Sequence, residues 1–583
     1  MRKGVAVSPG VAIARAYCLN AALVGSTPRN LVAAATSTEV ARFEGACAAA
    51  RTELDEIIAR VSREIGERSA AIFRAHRMLL DDPALLAKVQ ASILERHLDA
   101  GAALQQALDG YVVGFSKIQD EYLKERLADI RDVIGRIQSH LDSNACRLPL
   151  AVNEPVILVA SEILPSQLVA FGQLPVAGIV TESGGTTGHA AILARSLAIP
   201  SVTGLPGILR DIQSGDLIVL DGREGTIFVN PGPEVVAVYH TLQREYAGLR
   251  DRLVGNRDLE AVTADSFRVE LLANVNGPAD SATAVRMGAS GVGLYRTEYL
   301  FLGRLSVPNE EDQLAEYRAV IEQAPNRTVT IRTLDIGGDK SVPYLGIPHQ
   351  TNPFLGWRST RLIFAYPELF QTQVRAILRA ATYGRVSLLL PMISTIQELR
   401  RFKRMLGQIQ TALAREKLAF SADVRLGVMI EVPAAALCIE AFLDEVDFVS
   451  IGSNDLIQYV MAADRDNPKV AHLCEPFHPA VFQALRMIID ACNRRGKAVT
   501  LCGEMAGRPR CLLPLLGLGL RRLSMSSAQL PTIKELIRRV TERQARDIAV
   551  EVLHMRTSDE ILAYLTRSTR EVWPEVTLLD TRE

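Results

Sequence analysis

A chain of 583 residues is too long for one hydrophobic core and suggests two to four domains. Its net charge of −1, with 48% apolar and 22% charged residues, gives no reason to expect nucleic acid or an anionic membrane as partner. The eight cysteines are scattered without a Cys-x-x-Cys pair, which argues against a zinc site and a disulfide framework. No stretch approaches the ~18–20 apolar residues that span a bilayer, and the N-terminus lacks the apolar run of a signal peptide. The expectation is a cytoplasmic protein without membrane insertion.

Residues 1 to about 25 alternate in a strand-like way at Val5, Val7, Val11 and Ile13, broken by the turn Ser8-Pro9-Gly10. From about 35 to 143 the period becomes helical: Leu54, Ile57, Ile58 and Val61, then Ile72, Met78, Leu79 and Leu85, then Tyr122, Leu127, Ile130 and Ile134. Asp81-Asp82-Pro83 reads as a helix stop and a new start. The pattern predicts a bundle of about four helices over 31–143, inserted between two β-containing stretches.

Short strands return at 155–160, 176–181, 200–203 and 216–220, alternating with helices, so 1–30 and 144–232 form one small α/β domain. Within it, Ser183-Gly184-Gly185-Thr186-Thr187-Gly188 leads into His189, where a small-residue helix is predicted to begin. Glycines let backbone N–H groups approach a ligand, and a helix N-terminus suits a phosphate. A neutral imidazole there can act as a nucleophile. After Asn230-Pro231-Gly232 a charged helical linker is predicted over 233–260.

From 261 to 583 the chain repeats strand then helix. Strand candidates fall at 269–274, 291–296, 328–332, 386–390, 426–431, 447–451, 498–502 and 522–525. Eight such units predict a (β/α)8 barrel. Asn274, Arg296, Arg332, Glu431, Asn454, Asp455 and Cys502 all fall at or just past the C-terminal ends of these strands, where such a barrel holds its active site. Arg296, Arg332, Arg358 and Arg465 can grip phosphate or carboxylate, so the expected ligand is a small polyanion. Glu431 and Asp455 offer hard oxygens that suit Mg²⁺. Cys502 is a candidate proton donor, its thiolate helped by the arginines around it.

The run Gly-Gly-x-Thr-x-His-Ala-Ala-Ile-x-Ala-Arg ending at Arg195 resembles the phosphohistidine segment of phosphoenolpyruvate-utilising enzymes. Segments 71–82 and 121–132 of the bundle, and 293–301, 332–340, 352–358, 431–435, 450–459 and 463–465 of the barrel, are similar to Enzyme I of the phosphotransferase system. The resemblance covers essentially the whole chain. It implies that His189 carries a phosphoryl group between phosphoenolpyruvate and a histidine of an HPr-like carrier, which docks on the bundle. It implies that Arg296, Arg332, Arg358, Asn454, Asp455 and Arg465 hold phosphoenolpyruvate, and that Glu431 and Asp455 hold Mg²⁺. It further implies that Cys502 protonates the enolate to pyruvate, and that the barrel makes a homodimer.

The family's dikinases and synthases carry an ATP-binding domain for which this chain has no room. An ATP-independent relative of those enzymes, and a regulatory relay serving a different carrier, are the alternatives. The sequence departs from the family around the histidine, at Leu168 where a hydrogen-bonding threonine is usual, at Arg508 and Arg510 where an acidic run is usual, and at Arg521 and Arg522 before Ser524.

Overall fold

The structure, a computed structural model, describes residues 1–19, 35–64, 67–115, 121–141, 154–164, 167–168, 175–184, 189–197, 199–302, 304, 306–337, 342, 344, 346, 350, 352–467 and 469–579. The chain divides into two compact units, Met1–Leu249 with Leu578–Glu583, and Arg250–Thr577.

The first unit holds a mixed sheet of β1 (Arg2–Lys3), β2 (Val5–Ser8), β3 (Val11–Cys18), β4 (Val156–Ala160), β5 (Val176–Thr181), β6 (Ser201–Thr203), β7 (Leu217–Asp221) and β8 (Thr226–Val229), in the order β1-β8-β7-β3-β4-β5-β6-β2. β4 lies centrally, parallel to β3 and β5. Both its faces are covered, so it reads as an unbroken apolar run rather than an alternation. Ile157 and Val159 join a core with Ala12, Ala14 and Ile218. Val156, Leu158 and Ala160 join the opposite core, which also holds Leu193 and Ala194 of the helix His189–Ser196 and the apolar faces of the inserted helices.

Those helices are α1 (Thr36–Glu64), α2 (Glu67–Leu80), α3 (Pro83–Arg96), α4 (Ala100–Phe115) and α5 (Glu121–Leu141). They number five among the described residues, against about four read from periodicity. Asp82 caps α3 as its stop-and-start pattern predicts, accepting from the Ala84 N–H at 2.8 Å. The extra break is at His97, whose left-handed backbone (φ 52°) ends α3, followed by Asp99, which accepts from the Ala102 N–H at 2.7 Å. Apolar spacing runs through such a break unchanged, which hides it from a periodicity argument.

A helix, Pro233–Gly255, carries the chain from the first unit into the second. There β9 (Glu270–Val275), β10 (Val292–Arg296), β11 (Thr328–Arg332), β12 (Arg385–Leu390), β13 (Arg425–Ile430), β14 (Phe448–Ile451), β15 (Ala498–Leu501) and β16 (Arg522–Met525) close into a barrel. Every neighbouring pair is parallel. Leu294, Leu389, Met429, Phe448 and Cys502 pack together from strands that are not all neighbours, so they meet in the barrel interior.

Room for the Phe448 ring is made by Gly427, its partner across β13 and β14; a Cβ there would stand 2.4 Å from the ring. Gly427→Ala is therefore expected to overpack the interior and to cost about 1–3 kcal/mol. Urea unfolding followed by far-ultraviolet circular dichroism checks this, and an unchanged midpoint would show that the ring can yield.

Candidate active site at the barrel mouth

Closing eight parallel strands brings all their C-terminal ends to one rim. Arg296 ends β10 and Arg332 ends β11. Glu431 follows β13 directly, and Asn454 and Asp455 open the helix Ser453–Met461 after β14. Cys502 follows β15. Arg358 comes from the long connection after β11, and Arg465 from the turn after Ser453–Met461.

Arg332, Arg358 and Arg465 are not loose cations. Arg332 Nη2 donates to Glu298 Oε1 at 2.6 Å, and its Nη1 lies 3.3 Å from Asp335 Oδ2. Asp335 is shared: Arg358 Nη2 reaches its Oδ2 at 3.0 Å, while Arg358 Nη1 reaches Asp455 Oδ1 at 3.1 Å. Arg465 Nη1 stands 3.5 Å from the same Asp455 oxygen. The Phe354 ring lies beneath both guanidiniums, 5.8 Å from Arg358 and 5.4 Å from Arg465. Burial disfavours charge on Arg332 and Arg358, but the carboxylates around them more than compensate and keep both firmly protonated. The chain Glu298–Arg332–Asp335–Arg358–Asp455–Arg465 thus alternates in sign around the rim. Arg332 Nε is buried and has no hydrogen-bond partner among the described residues, a donor left over for an anion.

Glu431 is fully buried beside this array. Its Oε1 accepts the Met392 N–H at 2.6 Å, an amide presented from left-handed backbone at φ 55°. Its Oε2 has no partner among the described residues. Burial pushes the carboxyl up to about 8; Asp455 and Asp335 add repulsion, and Arg332 and Arg358 oppose them. A carboxylate so placed is relieved by a proton or a cation. Glu431 with Asp455 therefore fits a hard divalent metal. No group of three or more His, Cys, Asp or Glu is placed to hold one among the described residues, so the remaining coordination falls to ligand oxygens and water.

Cys502 is the candidate proton donor. Burial pushes the thiol up to about 11; Ser450 lowers it, Glu431 raises it, and Arg332 and Arg296 together do not offset the burial. It is held as the thiol, the form that can give a proton. Asn454 ties the segments after β14 and β15 together, its Oδ1 accepting the Glu504 N–H at 2.9 Å.

His189 belongs to the first unit and opens its helix as expected. Gly185 to Gly188 and the His189 side chain lie outside what the structure describes. Where the turn begins, Gly184 has φ 137° and its carbonyl accepts from Thr203 Oγ1 at 3.2 Å, which Thr181 Oγ1 backs at 2.7 Å. Leu168, standing where a hydrogen-bonding side chain was looked for, is buried in the apolar core it shares with Leu193 and Ala194. Sequence reasoning missed Glu298, Asp335, Met392 and Ser450. Glu298, Asp335 and Ser450 lie in segments that carry the family resemblance, but an acidic residue that neutralises an arginine, or a serine within an apolar strand, reads like any other.

Fold and site together define a (β/α)8 barrel with an arginine-lined mouth, joined to an α/β domain that bears a histidine at a helix start. Three family profiles match: a PEP-utilising enzyme N-terminal region over 3–126, a PEP-utilising enzyme mobile domain over 152–225, and a PEP-utilising enzyme PEP-binding domain over 250–542. Phosphoenolpyruvate-protein phosphotransferase of Bacillus sp. (strain S) is 40% identical over 565 residues, 97% of each chain. The protein of the same name from Bacillus subtilis (strain 168) is 38% identical over 563 residues, covering 97% of this chain and 98% of that one. An Enzyme I solution structure is 34% identical over 42% of this chain and 100% of its own, with a TM-score of 0.35. The chain belongs to the phosphoenolpyruvate-utilising enzymes and, among them, to the phosphoenolpyruvate-protein phosphotransferases. It is a transferase.

The raised Glu431 fixes a pH dependence. The folded state keeps this proton up to about 8, whereas an unfolded glutamate loses it near 4.5. Between those values the folded state binds more protons, so its stability falls as pH rises. Glu431→Gln removes the loss. Without divalent cations the variant is expected to melt higher than the unsubstituted protein at pH 8 and similarly at pH 5, and scanning calorimetry at both checks it.

Proposed function

We propose that the chain transfers the phosphoryl group of phosphoenolpyruvate to its own His189, and then to a histidine of an HPr-like phosphocarrier protein, releasing pyruvate. The observation that carries this reading is the mouth, where a buried donor of Arg332 and a buried carboxylate oxygen of Glu431, each without a partner among the described residues, stand at one ring of paired charges. Such a site suits a ligand that is both polyanionic and metal-binding, and phosphoenolpyruvate brings a phosphate and a carboxylate on three carbons.

In this reading Arg296, Arg332, Arg358, Asn454 and Arg465 hold the substrate, and Glu431 and Asp455 hold Mg²⁺. The cation, when bound, supplies positive charge at the phosphate oxygens. Arg332, Arg358 and Arg465 are already aligned by their carboxylates, so they meet the departing phosphoryl charge without reorganising. Cys502, kept as a thiol, gives its proton to the enolate carbon. Residues 1–30 and 144–232 are the phosphohistidine domain, 31–143 the carrier-docking bundle, 233–260 the linker, and 261–583 the barrel, which also forms the homodimer. His189 must meet both the mouth and another protein, so its domain must swivel on the linker. The cytoplasm is where this chemistry would run; among the described residues no helix is long and apolar enough to cross a membrane.

The test is labelling with phosphoenolpyruvate and Mg²⁺, without ATP. Label is expected on His189 through an acid-labile, base-stable bond, and His189→Ala should take up none. Glu431→Ala and Asp455→Ala should each fold, by circular dichroism, yet lose roughly 10²-fold or more in labelling rate. A His189→Ala protein that still takes a full equivalent of label overturns the reading.

A further inference from the structure

Phosphoryl loss leaves enolpyruvate, and giving its carbon a proton leaves a thiolate where a neutral thiol had been packed. Cys502 is 2% exposed and belongs to the apolar cluster of the barrel interior. A bare thiolate there, without a hydrogen-bond donor, is costly.

The donor is present. Ser450, on β14 and 1% exposed, donates its hydroxyl to Cys502 Sγ at 3.1 Å, while the thiol itself is 3.3 Å from the Ile451 carbonyl. The backbone is fixed from the other side. Asn274 Nδ2 on β9 donates to the Cys502 carbonyl at 3.0 Å, and Ser524 Oγ on β16 donates to Asn274 Oδ1 at 2.6 Å. Asn274 was singled out at a strand end, and this contact gives it a task that needs no ligand.

Building on the proposed reaction, we propose that Ser450 is a positioning residue for protonation at carbon: it orients the Cys502 sulphur and holds the thiolate that forms there. In that step the Cys502 S–H bond breaks and a C–H bond forms at the methylene carbon. The enolate π electrons make the new bond, the enolate oxygen becomes the keto oxygen, and sulphur keeps its pair. Solvent returns a proton to sulphur once pyruvate has left. The Ser450 hydrogen bond is a neutral contact before the step and a charge-assisted one after it. An interaction that strengthens along the reaction accelerates that step and no other. Phosphoryl transfer to His189, where no charge changes on sulphur, gains nothing from it.

Ser450→Ala tests the inference through two readouts. One is deuterium uptake into the methyl group of pyruvate, at equilibrium with phosphoenolpyruvate and Mg²⁺ in D₂O. The other is the single-turnover rate of His189 phosphorylation. Uptake is expected to fall about 10- to 100-fold, the scale of losing one hydrogen bond to a charged group, and phosphorylation less than about 3-fold. Equal losses in both would mean that Ser450 only supports the fold of the mouth, and unchanged uptake would mean that it does not serve the sulphur; either overturns the inference. If the unsubstituted protein phosphorylates His189 but Cys502→Ala exchanges deuterium as fast as it does, the proton comes from elsewhere, and the inference falls while phosphoryl transfer stands. If the unsubstituted protein is not labelled at all, the proposed function falls and the inference with it.

Discussion

Two carboxylates, each shared between two guanidiniums, hold the barrel mouth in its form. Asp335 serves Arg332 and Arg358, and Asp455 serves Arg358 and Arg465. Several buried positive charges on one rim would repel each other and could not be desolvated alone. With Glu298 closing one end, the charges alternate and the rim can be built before any ligand arrives. Arg358 is the keystone, since it is bound on both sides by acids from different parts of the chain. Its position in turn requires Gly337, at φ 105°, where a Cβ would lie 2.5 Å from that of Arg358.

Against this neutral background Glu431 stands out. It is the carboxylate without a guanidinium in its hydrogen bonds, accepting instead from a backbone amide. In the proposed reaction a proton and a metal ion would compete for the same oxygen, so proton and metal occupancy would be linked by the geometry of one side chain.

Much of this was readable in the residues. Strand periodicity and the eightfold repeat gave the barrel, with strands such as 328–332 and 522–525 matching to the residue. Polar residues at strand ends gave the members of the mouth, because in a parallel barrel an address along the chain becomes an address in space. What stayed hidden depends on contacts between distant segments. Nothing local distinguishes Asp335 from a loop aspartate until Arg358, 23 residues on, folds against it. The environment of Cys502 was only half legible for a related reason. Nearby arginines can be counted in a sequence, but the burial that outweighs them cannot. The short strand Thr226–Val229 also escaped notice; it returns through a hairpin at Gly225, whose φ of 67° turns the chain within a few residues.

Cys502 occupies two structures at once. It is the floor of the mouth, and it is also one of the side chains that fill the barrel, touching the same cluster as Leu294 and Phe448. In the proposed reaction, chemistry and packing therefore meet on a single sulphur atom. Any replacement here would need the same volume and as little polarity, or an interior rebuilt around it. That constraint comes from packing alone and would hold at this position whatever reaction the mouth performs.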